Sequence, residues 1–127
     1  MKTKGFTLVE LVIVIVIVGI LSVVAVPVYK GYTKKAMATE GKALLGAINT
    51  SQKVYFAEWA NFAGSGQSAS LDVDASTNKY FTSYAISGAG SSTGFTATTA
   101  GSGGATGIGL TITGSASGAS TITESGL

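Results

Sequence analysis

The stretch that decides the fold is Phe6–Val28, FTLVELVIVIVIVGILSVVAVPV, an apolar run broken only by Thr7, Glu10, Gly19, Ser22 and Pro27. As a helix rising 1.5 Å per residue it spans roughly 35 Å, enough to cross a bilayer core of about 30 Å. Ahead of it, Met1–Gly5 is short, polar and basic through Lys2 and Lys4. A secretory signal places a small-residue cleavage site after its apolar run, and Val26-Pro27-Val28-Tyr29 is a poor one. The run therefore reads as a membrane-spanning helix that stays with the protein.

From Tyr29 to Phe62 the chain becomes polar without losing helical period. Leu44, Leu45, Ile48, Tyr55, Trp59 and Phe62 recur mostly at three- and four-residue steps and form one apolar stripe. Glu40, Lys42, Asn49, Lys53 and Glu58 take the opposite face. No proline interrupts this part, although Gly31, Gly41 and Gly46 each cost up to about 1 kcal/mol of helix propensity relative to alanine. The pattern predicts one helix from Phe6 to about Phe62, greasy in its first half and amphipathic in its second. Such a stripe needs a partner to cover it.

Residues 63–127 supply that partner. They hold 13 of the 18 glycines and four charged residues, Asp72, Asp74, Lys79 and Glu124. Tyr80–Ile86 alternates in strand fashion, Phe95–Ala100 and Ile108–Ile112 are further strand candidates, and Thr121–Thr123 adds a fourth. Gly/Ser segments between them read as turns. The expected fold is α+β: a long N-terminal helix whose distal half packs on a small antiparallel sheet. The expected division is 1–5 leader, 6–28 hydrophobic helix, 29–62 amphipathic continuation and 63–127 small sheet domain.

Composition excludes several functions. The chain has no cysteine, histidine or arginine, which removes disulfides, thiolate metal sites and the commonest general base and zinc ligand. With its acids scattered, it offers no catalytic constellation, and an enzyme is not expected. Eight cations face six acids. Without residues 1–5 six lysines face six acids, so the positive balance belongs to the leader. Lys79 is the only cation beyond residue 62, which argues against nucleic-acid binding. Asp72 and Asp74 offer too few oxygens for calcium, which takes six to eight, and read as a solvated loop. No cofactor or metal is expected. Seven of eleven aromatic residues lie between Phe6 and Phe62; packing and a bilayer-interface belt at Tyr29 and Tyr32 account for them.

Lys4-Gly5-Phe6-Thr7-Leu8-Val9-Glu10, followed by the apolar run and Pro27, resembles the class III signal of type IV prepilins. The resemblance is strong through Phe62 and holds beyond it only in general architecture. It implies cleavage by a prepilin peptidase between Gly5 and Phe6, N-methylation of Phe6, and storage in the inner membrane before export. It further implies that an assembly machinery polymerises the subunits into a helical homopolymer, an extracellular filament on the cell surface. A carboxylate at mid-span costs about 2.5–3.5 kcal/mol on insertion scales. Glu10, one turn from the helix start, reaches the headgroups while the precursor is in the membrane. In a filament it needs a partner, and the resemblance implies the methylated ammonium of a neighbouring Phe6, a registry role for buried charge. Gly19 and Pro27 are the expected helix-weakening positions. Pro27 lacks an N–H and crowds the carbonyl one turn back, and the resemblance implies lost helicity between the two on assembly. The positive-inside count, Lys30, Lys34, Lys35 and Lys42 against the leader, runs against the orientation the motif requires. Rival readings are a pseudopilin of a type II secretion system, which shares the N-terminal half, and a minor pilin acting as a membrane-anchored binding module.

Overall fold

The N-terminal part folds as one α-helix, α1 (Leu8–Trp59), unbroken through Gly19 and Pro27. The computed structural model describes residues 2–127, so Met1 of the expected leader lies outside the described residues. The chain divides into two compact units, one ending at Thr33 and the other Lys34–Leu127. In the first, every described residue up to Lys30 is exposed.

The second unit carries the core. One face of α1 buries Ala38, Gly41, Leu44, Leu45, Ile48 and Gln52. A short 3₁₀ helix (Ser68–Leu71) follows, then β1 (Ala85–Ser87), β2 (Gly94–Ala100), a 3₁₀ turn (Gly103–Ala105), β3 (Gly109–Ser115) and β4 (Ser120–Ser125). Among the described residues the strands form one antiparallel sheet in the order β1-β2-β3-β4. Strand alternation sends Ile86, Phe95, Ala97, Leu110 and Ile112 to the α1 side, where all are buried. A Cβ on Gly41 would strike the Leu110 side chain and stand 2.9 Å from Phe81 Cδ1. The helix cost of this glycine is therefore offset by the close approach it permits. Gly31 and Gly46 border open space.

The sheet forms where alternation is clean and fails where the backbone finds other partners. The alternation over Tyr80–Ile86 predicts a strand, and of it only the end pairs, within β1 (Ala85–Ser87). The Tyr80 and Phe81 N–H groups donate instead to Glu40 Oε1, at 2.7 and 2.9 Å. The Tyr80 carbonyl accepts from Ser102 N–H and Oγ, and the Phe81 carbonyl accepts from Asn78 Nδ2. With these groups committed, no ladder is available to residues 80 and 81.

The helix end also differs from expectation. α1 stops at Trp59 rather than Phe62, because Ala60 takes a left-handed conformation (φ 55°) with its N–H donating to Phe56 O at 2.8 Å. The resulting cap reverses the chain. Phe62 returns from a loop, bridges to Ser91, and packs its ring 4.6 Å from Phe56 and 5.2 Å from Phe95. Trp59, expected to anchor the sheet, is 65% exposed and rests on Tyr55. The buried face of α1 ends at Gln52, so the core does not extend to the last turn, where the indole stands.

Gln52 fastens this return. Fully buried, its amide donates to Ala63 O at 2.9 Å and accepts from Ala63 N–H at 2.8 Å. Gln52→Leu keeps the bulk but strands two buried backbone groups, each worth about 1–3 kcal/mol. Denaturant unfolding of the detergent-solubilised chain should show a loss of at least about 2 kcal/mol; wild-type stability would contradict the clasp.

Glu40 has a pH signature. The Tyr80 N–H, joined by that of Phe81, holds its carboxyl below the usual range against partial desolvation. A group with a depressed folded pKa stabilises above its unfolded value and loses that contribution as pH falls through the folded one. Stability should therefore decline below about pH 4.3, the ordinary glutamate value. Glu40→Gln should be less stable at neutral pH and show a shallower acid loss, read by unfolding at a series of pH values. Parallel pH profiles for the two proteins would contradict this role.

Candidate functional site

The N-terminal residues named from the sequence lie in the first unit and are organised by one local motif. Thr7 precedes the first helical residue, Leu8, and its carbonyl accepts the Leu11 N–H at 3.2 Å. Its hydroxyl accepts the Glu10 N–H at 3.2 Å, while Glu10 Oε2 accepts the Thr7 N–H at 2.8 Å and the Thr7 hydroxyl at 2.9 Å. Thr7-Leu8-Val9-Glu10 is thus a reciprocal capping box, satisfying helix-end donors that otherwise have no partner. The negative charge sits in the first turn, where the helix dipole favours it.

This geometry changes the account of Glu10. In the sequence its carboxylate reads as a charge that needs the headgroups or a neighbouring subunit. In the single chain it already has two hydrogen bonds, both from Thr7. Thr7 was overlooked, although the Thr-x-x-Glu spacing ahead of an apolar run was legible in the sequence as a helix-start signal.

Gly5 and Phe6 precede the helix, in non-helical chain, and Phe6 is 92% exposed. A Cβ on Gly5 would meet nothing within 4 Å, so no packing inside the chain demands glycine there. Beyond them α1 presents sixteen large aliphatic residues, Leu8 to Val28, all exposed. By length and composition α1 is apolar enough to cross a membrane. Gly19 also borders open space, and Ser22 Oγ donates to Val18 O at 2.7 Å beside it. Such a back-bond occupies a carbonyl and often bends a helix.

The six residues named for helix–sheet packing lie in the second unit. Leu44, Leu45, Ile48 and Phe62 are buried together, Tyr55 is half-buried at the core margin, and Trp59 is outside it. Asp74 Oδ1 accepts the Ser76 N–H at 2.8 Å, and Ser76 side-chain and backbone hydrogen bonds hold its carboxyl below the usual range. Asp72 ends the first 3₁₀ helix with φ 48°. Among the described residues no group of three or more acidic side chains stands ready for a metal ion.

Residues 1–26 match the family model described as the prokaryotic N-terminal methylation motif. Over 99 residues the chain is 36% identical to fimbrial protein EcpC of Eikenella corrodens, covering 75% of this chain and 61% of that protein. It is 40% identical over 77 residues to a fimbrial protein of Moraxella nonliquefaciens (61% of this chain, 50% of the relative). It is also 40% identical over 68 residues to a type IV major pilin protein of Neisseria gonorrhoeae (54% and 41%). The chain spans about half the length of the curated relatives it matches.

The capping box makes a local prediction. Thr7→Val keeps size and branching but removes the hydroxyl, a loss of about 0.5–2 kcal/mol at a helix N-cap. Amide hydrogen exchange over Leu8–Leu11 should accelerate in the detergent-solubilised chain, with Thr7→Ser restoring protection. Unchanged exchange in Thr7→Val would show that the hydroxyl does not hold the helix start.

Proposed function

We propose that this chain, which belongs to the type IV pilin family, is the structural subunit of a type IV pilus. Peptidase cleavage at Gly5/Phe6 and methylation of Phe6 would prepare it for polymerisation into a filament on the cell surface. One observation carries the reading: an apolar helix segment, exposed on every side, begins directly after a chemically simple junction. That surface must be covered, first by the inner membrane and then by copies of itself.

Several features support this sequence of events. Gly5 is required by nothing inside the chain, which points to an external reader such as a peptidase pocket that admits no side chain. Phe6 is exposed and non-helical, as a scissile position needs to be. Glu10 lies one turn from the new terminus, so its carboxylate can exchange the Thr7 bonds for a methylated ammonium on a neighbouring subunit. Ser22 back-bonding and Pro27 both lie within or beside the stretch where helicity would be lost on assembly. The matched relatives are named fimbrial protein and major pilin, which favours a pilus subunit over a secretion pseudopilin. The chain then acts as a building block, with its partners being its own copies and the peptidase and assembly machinery that handle them.

Two measurements test this reading together. Intact mass of purified surface filaments should correspond to a chain starting at Phe6 with one added methyl group; a mass that retains Met1–Gly5 would sink it. Glu10→Leu should remain membrane-resident and be cleaved, yet enter filaments poorly. Wild-type filament yield from Glu10→Leu would mean the carboxylate is not an assembly contact.

A further inference from the structure

The sheet has a second face that the core does not use. Cross-strand register places Thr96, Thr113 and Thr121 in one row and Thr98, Thr111 and Thr123 in the next. Each alternates with a residue directed at the α1 side, so all six threonines stand on the outer face. They form a grid with about 4.8 Å between strands and about 6.8 Å between rows.

The hydroxyls of this grid differ from others in the chain. Thr33, Thr39, Thr50 and Thr99 each donate to a backbone carbonyl at 2.6–3.2 Å. Among the described residues, one hydroxyl of the six, that of Thr123, reaches a protein acceptor, the Thr111 carbonyl at 3.5 Å. The grid thus offers donors, acceptors and methyl groups that the fold leaves uncommitted.

We propose that this threonine face is a self-association surface, through which copies in neighbouring filaments pack side by side; the inference rests on the pilus-subunit reading above. Chemistry selects the occupant. The outer positions of the paired strands carry no charged and no aromatic side chain, so the face lacks what would hold a nucleic acid, an acidic peptide or a stacked sugar. A second copy fits on three counts. Threonine is its own complement, each hydroxyl both donating and accepting. The face is neutral, so identical copies meet without repulsion. Two sheets of the same twist pack face to face with their strands nearly aligned.

Area then says where the contact operates. Four strands by three outward positions cover roughly 400 Å² at these spacings, short of the about 800 Å² per partner of a stable interface. One pair of chains does not dimerise through it. In a filament the patch repeats with every subunit, and linked weak contacts add by avidity without any new interaction. The contact is therefore silent in the membrane-stored subunit and effective in the polymer.

The test uses filaments of the full chain carrying Thr113→Lys or Thr113→Glu. Thr113 is exposed at the centre of the grid, a position where a surface change is tolerated by the fold. Wild-type filaments should associate laterally and sediment at low speed. Either variant alone should form single filaments of ordinary length that no longer sediment, and mixing the two should restore association that raised salt removes. Rescue on mixing cannot come from misfolded subunits; where circular dichroism shows a Thr113 variant unfolded, the same charge pair at Thr121 replaces it. Undiminished sedimentation of the charged variants, or wild-type filaments that stay single, would overturn the proposal. Folded variants that fail to polymerise would place the face inside the filament and overturn it too. Absence of wild-type filaments altogether would overturn the subunit reading first, and this one with it.

Discussion

Between Leu8 and Val28 the chain displays apolar surface that it does not itself cover. Sixteen exposed aliphatic residues, each worth about 1.5–3 kcal/mol when fully removed from water, make that segment incompatible with an aqueous environment. A bilayer would cover it, and so would copies of the same segment; under the proposed function both are needed, because the subunit is stored before it is built into a polymer. The single carboxylate in the stretch has to be tolerable in both settings. The Thr7 capping box provides for the first by giving Glu10 partners within its own chain. Because those bonds are local and lie at the helix end, they can be exchanged without disturbing the rest of α1.

The second unit meets a different constraint. Its sheet is small and its loops rich in glycine and serine, so apolar burial is limited and backbone polar groups are numerous. Two side chains from α1 resolve this. Gln52 takes both backbone groups of Ala63, and Glu40 takes two successive N–H groups at Tyr80 and Phe81. Each clasps a returning loop to the helix where no strand could reach. At the sheet's far edge the tie is looser: Lys42 pairs with Glu124, and Lys34 and Asn49 reach Gly126 and Ser120. These contacts are exposed, and exposed ion pairs contribute little. β4 is accordingly held chiefly by its ladder to β3, which keeps Thr121 and Thr123 in register with the rest of the grid.

The membrane-length helix, its continuation as an amphipathic stripe and three of the four strands were legible in the sequence. All of these are local: period, composition and short motifs carry them. Even the capping box was written there, as Thr7 three residues before Glu10. Tertiary structure decided the rest, because each remaining feature depends on groups distant in the chain. Tyr80–Ile86 alternates like a strand, yet the backbone of Tyr80 and Phe81 is claimed by Glu40 and Ser102. Trp59 continues the stripe in sequence, but the left-handed Ala60 ends the helix and hands its place to Phe62. Gln52 and Gly41, a polar residue and a poor helix former, lie on the buried face of α1, one for the amide it brings and the other for the side chain it lacks. The threonine grid likewise arises only from register, since pairing across strands brings into one row residues up to 25 positions apart. Local periodicity encodes which residues face together within one element; only the packed fold sets which faces meet.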